Sequence, residues 1–253
     1  MIEADKTYRP PTTVAAADAI TDPGLRAYML AIYNKVAGGL LLSAALAFAT
    51  SGVPGIRDHL VRAVATAGAH PPTVLTGWGL AVALGPLLAM LFVVPVLRRP
   101  TPGRTAALYW GVAALVGGSL GLVTLSFTGA SIAMAFAVSA LAFASLSLFG
   151  YTTKRDLSAA GSFLLMGLTG LIGALVLNFL LHSPLIALVA NAVGVLVFGG
   201  LVAHDTQRLK LAYAACGGDR SSTSVATNCG ALSLFLNFIN LFQILLLMSG
   251  ERR

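Results

Sequence analysis

The side chains most able to do chemistry are gathered in one stretch. His204-Asp205-Thr206-Gln207-Arg208-Leu209-Lys210 follows Leu157 to Ala203, 47 residues without a single Asp, Glu, Lys or Arg. Asp205 is therefore the acid best placed to dip into apolar surroundings. At an aqueous interface it would pair with Arg208, about one helical turn away, for a few tenths of a kcal/mol. Drawn out of water, a carboxylate needs a compensating proton, cation or hydrogen bond, and Asp205 could then bind a cation or gate a pathway. A second polar set lies in Gly230-Ala231-Leu232-Ser233-Leu234-Phe235-Leu236-Asn237-Phe238-Ile239-Asn240-Leu241-Phe242. A helical periodicity puts Ser233, Asn237 and Asn240 on one face. Two amides in hydrocarbon require partners. Interhelical hydrogen bonds worth about 1 kcal/mol each would satisfy them, as would the lining of an ion path.

Other chemical patterns are weaker. Gly117-Gly118-Ser119-Leu120-Gly121 fits the G-x-S-x-G nucleophile pattern, which needs a strand-turn-helix elbow with His and acid partners. Here it lies inside an apolar run, and Gly117-x-x-x-Gly121 reads more simply as a helix contact, as do Gly38-Gly39 and the series Gly167, Gly170, Gly173. His59, His70, His182 and His204 have no metal-ligand spacing. Cys216 and Cys229 are expected at a reducing face, without a disulfide or metal role. No nucleotide-binding loop is present, so ATP-driven pumping is disfavoured. The expectation is a protein that is not an enzyme and needs no cofactor.

The elements that position these residues follow from hydropathy. Hydrophobic residues make up 57% of the 253, charged residues only 10%, and mean hydropathy is +0.85, against about a quarter charged in soluble domains. Five runs lack any charged residue: Val36 to Ile56, Pro71 to Leu97, Thr105 to Thr153, Leu157 to Ala203 and Ser221 to Gly250. A helix needs about 20 apolar residues to cross roughly 30 Å of hydrocarbon. The third and fourth runs, 49 and 47 residues long, must each fold back, at Phe127-Thr128-Gly129 and His182-Ser183-Pro184. This gives an all-α, polytopic membrane bundle of seven helices, near 33 to 53, 75 to 97, 106 to 127, 130 to 151, 161 to 181, 185 to 203 or somewhat beyond, and 229 to 248. Residues 1 to 30, with Glu3, Asp5, Asp18, Asp22 and Pro10-Pro11, read as a soluble cytoplasmic tail, and 31 to 253 as the transmembrane domain.

Charge sets the orientation. With the tail inside, Lys6, Arg9, Arg26, Lys35, Arg98, Arg99, Arg104, Lys154, Arg155, Arg208, Lys210 and Arg220 fall on the cytoplasmic side, leaving Arg57, Arg62, Arg252 and Arg253 outside. A re-entrant final segment would bring the last two inside as well, so charge alone leaves a seventh span and a hairpin both open. The basic residues are spread over short loops and form no nucleic-acid stripe, so the partner they imply is the bilayer.

Taken together with Ala27-Tyr28-Met29, Ile32-Tyr33-Asn34-Lys35-Val36-Ala37-Gly38-Gly39-Leu40, Gly150-Tyr151-Thr152-Thr153-Lys154-Arg155-Asp156-Leu157-Ser158 and Val197-Phe198-Gly199-Gly200-Leu201-Val202-Ala203, the His204 and Ser233 motifs resemble the Bax inhibitor-1-like (transmembrane Bax-inhibitor-motif) family, especially its bacterial inner-membrane branch. The resemblance spans nearly the whole chain. It implies a seven-helix fold with the last helix central, an inner-membrane location, and, for some members, a pH-sensitive calcium leak. Other members are described as binding membrane-anchored proteases or as cytoprotective.

In that family the leak is attributed to two aspartates, one in an aspartate-threonine-glutamine motif and one in the final helix. Asp205 matches the first; Asn237 stands where the second is usual. Two facing carboxylates repel, so one holds a proton to higher pH, whereas an amide has no proton to titrate there. Asn237 keeps the hydrogen bond and loses the charge, which weakens divalent affinity at Asp205. His204 stands where tyrosine is common and could take over some pH sensing. The expected function is a calcium-preferring cation leak with Asp205, Asn237, Asn240 and His204 on its path. The alternative is a non-transporting modulator of a membrane-anchored protease or other membrane partner.

Overall fold

The computed structural model describes residues 22–63 and 73–252; most of the expected tail, with Lys6 and Arg9, and also His70 and Arg253, lie outside the described residues. Among the described residues, seven helices are long and apolar enough to cross a membrane, as the hydropathy predicts. They are α1 (Pro23–Gly52), α3 (Gly77–Arg98), α4 (Pro102–Thr124), α5 (Gly129–Thr152), α6 (Ser158–Leu181), α7 (Pro184–Ala215) and α8 (Arg220–Ser249). Between α1 and α3 come the short α2 (Pro54–Leu60) and two strands the sequence did not announce, β1 (Val61–Ala63) and β2 (Thr73–Leu75), paired antiparallel with Val61 opposite Leu75.

Three helix ends depart from the hydropathy reading, each for a local reason. α1 starts ten residues before position 33, because the Asp22 carboxylate accepts from the Gly24 amide at 2.8 Å and Pro23 opens the first turn. Leu25, Tyr28, Met29 and Ile32 then form one buried face. α7 runs twelve residues beyond Ala203, and α8 starts nine before Cys229, capped by Asp219 accepting from the Ser222 amide at 2.7 Å. At 32 residues α7 is about 48 Å long, more than the roughly 30 Å hydrocarbon core. Its last turns therefore stand at the membrane surface. The two fold-back points occur where expected: His182 takes a left-handed φ of 50° ahead of Ser183-Pro184, and Phe127-Thr128 joins α4 to α5. Gly217 and Gly218, at φ 55° and 82°, supply the positive φ that turns α7 into α8.

α8 is the central helix, packed on α1, α4, α5 and α7, while α3 leans mainly on α4 and α6 on α7. α1 and α4 run parallel: the Tyr109 hydroxyl donates to Lys35 O at 2.6 Å, Ser43 Oγ to Ala113 O at 2.7 Å, and Thr50 Oγ1 to Gly118 O at 3.2 Å. The start of α8 is tied to the start of α4, with Asn228 Nδ2 donating to Pro102 O and Thr105 Oγ1. Its far end reaches the α4–α5 turn, where the Thr128 amide donates to Glu251 O and the Glu251 amide to Ser131 Oγ. α8 thus crosses the whole bundle, which decides for a seventh span over a hairpin.

The glycine pairs act as the small-residue rule predicts, with one exception. A Cβ at Gly117 would lie 2.5 Å from Ser43 Cα, and one at Gly121 would lie 2.6 Å from Ala47 O, so both are needed for α1 to approach α4. A Cβ on Gly38 would fall 3.1 Å from the Trp110 ring, and one on Gly39 would meet the hydroxyl end of Tyr109. Gly170 and Gly173, expected as contacts too, face open space. The reason is that α6 turns only one face to the bundle, and these residues lie off it.

Candidate functional site

Asp205 points inward from α7, 9% exposed, and its carboxylate is clasped by α8. Ser233 Oγ donates to Asp205 Oδ2 at 2.5 Å and Asn237 Nδ2 donates to the same oxygen at 2.9 Å. The other oxygen, Oδ1, is 3.3 Å from His204 Nδ1. The structure thus brings together Asp205, Asn237 and His204 and adds Ser233. Asn240 is not part of the cluster: it is half-buried one turn further along α8 and makes no side-chain hydrogen bond among the described residues. The pairing of Asp205 with Arg208 does not form either. Arg208 is exposed, and the carboxylate has turned to α8, where buried donors outweigh a surface ion pair worth tenths of a kcal/mol.

Each residue of the motif reaches a different neighbour, since successive helical side chains point about 100° apart. Thr206 Oγ1 donates to Val202 O and lies 3.0 Å from Ser147 Oγ on α5, which in turn meets the Tyr33 hydroxyl of α1 at 2.5 Å. Gln207 clamps the α5–α6 connection, its Oε1 accepting from the Leu157 amide at 2.8 Å and its Nε2 donating to Arg155 O at 2.7 Å. Lys210 Nζ donates to Tyr151 O at 2.7 Å. The face of His204 away from Asp205 lies against Gly161 of α6, where a Cβ would come 2.9 Å from Cε1. The polar end of α7 is therefore the joint at which α1, α5, α6 and α8 meet.

Tyr33, Ser147, Thr206 and Gln207 were not singled out from sequence. Thr206 and Gln207 adjoin Asp205, and Tyr33 lies in a motif that carries the family resemblance; Ser147 carries no signal, because serine hydroxyls in apolar helices usually bond their own backbone. Ser119 does so, its Oγ donating to Val116 O at 2.9 Å. At the bundle surface, the Ser158 hydroxyl and amide hold Asp156 below the usual carboxylate range, and those of Ser222 do the same for Asp219.

Electrostatically the cluster is one carboxylate met by hydrogen donors. Calcium takes about six to eight oxygen ligands, and no group of three or more His, Cys, Asp or Glu gathers among the described residues. A cation at Asp205 would have to rotate the Ser233 hydroxyl away and turn the Asn237 carbonyl oxygen toward it. The geometry is a hydrogen-bonded contact between α7 and α8 centred on Asp205.

Comparison with known proteins gives one family. The profile described as "Inhibitor of apoptosis-promoting Bax1" matches residues 25–253. A Caulobacter vibrioides protein described only as "Uncharacterized protein" is 52% identical over 94% of this chain and 93% of its own length. "Inner membrane protein YbhL" of Escherichia coli is 36% identical over 94% of this chain and 97% of its own. "Uncharacterized membrane protein SpyM3_0260" of Streptococcus pyogenes is 30% identical over 91% and 95%.

Proposed function

The chain belongs to the Bax inhibitor-1 family, and from that premise we propose that it is a passive, calcium-preferring cation leak of the inner membrane, gated where α7 meets α8. It is not an enzyme in this reading. The observation that carries the proposal is the clasp on Asp205, a buried acid held by Ser233 and Asn237 of the central helix. Separating α7 from α8 exposes the carboxylate to a passing cation; closing them returns it to its donors. Asn237 gives the latch a hydrogen bond and, being an amide, no titrating proton.

The proposed orientation puts the Pro23 end in the cytoplasm. Among the described residues Arg26, Lys35, Arg98, Arg99, Arg104, Lys154, Arg155, Arg208, Lys210 and Arg220 lie toward that face, against Arg57, Arg62 and Arg252 toward the other, which supports a positive-inside arrangement.

Calcium flux into proteoliposomes across pH tests the reading. The native protein is expected to conduct with shallow pH dependence, Asp205→Ala to change the flux several-fold, and Asn237→Asp to make it steep by restoring a proton-sharing pair. Flux indifferent to Asp205→Ala overturns the gate.

A second reading is favoured by the donors that already satisfy Asp205: a latch that never opens would suit a modulator of a membrane-anchored protease. A stoichiometric protease co-purified from native membranes, with no cation flux, would select it.

A further inference from the structure

α1 and α5 touch where the Tyr33 hydroxyl meets Ser147 Oγ and are otherwise joined through α8, which leaves a lateral cleft between them divided into two chambers. The chamber toward the Pro23 face is a cavity of about 590 Å³, within the roughly 300–1,000 Å³ of small-ligand sites. Its walls are Leu30 and Leu148, 51% and 62% exposed, and the buried ring of Phe143. The hydroxyls of Tyr33 and Ser147 form its polar floor, already bonded to each other.

Charge enters only at the rim. Arg26 is exposed there and makes no ion pair among the described residues. Beside it stands Tyr151, with Lys210 Nζ 5.7 Å above its ring centroid. The chamber at the opposite end of the cleft, about 480 Å³, has neither cation nor acid in its lining, only the hydroxyls of Ser43, Ser51 and Thr124 among apolar side chains. One leaflet is thus offered an apolar slot with a basic mouth, and the other an apolar slot without one.

We propose that the Arg26 chamber is a binding site for an anionic phospholipid, with an acyl chain between Leu30, Phe143 and Leu148 and the phosphate against the Arg26 guanidinium. A cavity open to hydrocarbon cannot hold water against apolar walls, and an acyl chain restores the dispersion contacts that an empty space forfeits. The guanidinium presents a planar fork of donors that matches phosphate oxygens two at a time. Basic pockets between membrane helices select anionic headgroups for this reason. Lys210, with its ammonium over the Tyr151 ring, adds positive potential at this rim. The site stands apart from the cation-leak reading: it requires neither conduction nor an opening of α7 from α8.

The test uses the full chain, delipidated in detergent and titrated with phosphatidylglycerol, phosphatidylcholine or inorganic phosphate. Bound lipid is counted by native mass spectrometry and stability followed by thermal melting. Phosphatidylglycerol is expected to remain bound and raise Tm, and Arg26→Gln to weaken it about fivefold, the contribution of one basic side chain at a membrane surface. Ala144→Trp, which fills the chamber from an exposed position on α5, should abolish retention with helix content unchanged. If that variant misfolds, Arg26→Gln decides alone. Equal retention of phosphatidylcholine, a melting shift with inorganic phosphate alone, or an unaltered affinity in Arg26→Gln overturns the proposal.

Discussion

Asn237 and Asn240 are the same residue type one turn apart on one helix, yet the fold treats them differently. Asn237 is buried and holds Asp205, while Asn240 is half-buried with no side-chain hydrogen bond among the described residues. Replacing a partner of a buried charged acceptor costs about 1–3 kcal/mol, because the acceptor keeps its desolvation penalty. Asn237→Leu should therefore destabilise the detergent-solubilised protein by roughly that amount, read by thermal or denaturant unfolding, with Asn240→Leu within about 0.5 kcal/mol of native. Equal effects would show that the clasp contributes little. Spacing could place both amides on the side of α8 that meets other helices; it could not say which one lies opposite Asp205. That depends on the axial register of α7 against α8, which no single-helix pattern contains.

At the scale of elements, the glycines divide by what crosses them. Gly117 lets the α1 backbone pass, so Gly117→Ala must push α1 from α4 and should cost about 1–3 kcal/mol through overpacking. Gly170→Ala and Gly173→Ala meet nothing and should stabilise α6 by roughly 0.5–1 kcal/mol each through higher helix propensity. Unfolding in mixed micelles distinguishes the signs, and destabilisation by both classes would refute the assignment of faces. Hydropathy located all seven spans and both fold-back points, yet misplaced three helix ends. At each, a polar or charged residue that hydropathy scores as a stop sits inside the helix or caps it. Asp205, Gln207 and Lys210 are tolerated in α7 because α8, the α5–α6 connection and Tyr151 O receive them.

For the whole molecule, seven spans put Pro23 and Ser249 on opposite faces, and the proposed orientation puts the Pro23 end in the cytoplasm. Single cysteines at Arg99 and Asp156, in a background lacking Cys216 and Cys229, should resist membrane-impermeant thiol reagents in intact cells, while one at Asp58 should react. The reverse pattern would invert the topology without altering the fold. The sequence by itself determined the solvent, the number of crossings and the acid that enters the packed bundle, because the penalty for charge in hydrocarbon is large enough to be read residue by residue. Only the tertiary structure decided that α8 spans fully, that Asp205 bonds Ser233 and Asn237 in preference to Arg208, and that a cleft opens between α1 and α5 on either side of their Tyr33–Ser147 contact. Those outcomes rest on which helices adjoin and at what register. In a bilayer, that choice is made by close packing and a few buried hydrogen bonds, whose partners lie 28 and 32 residues from Asp205 along the chain.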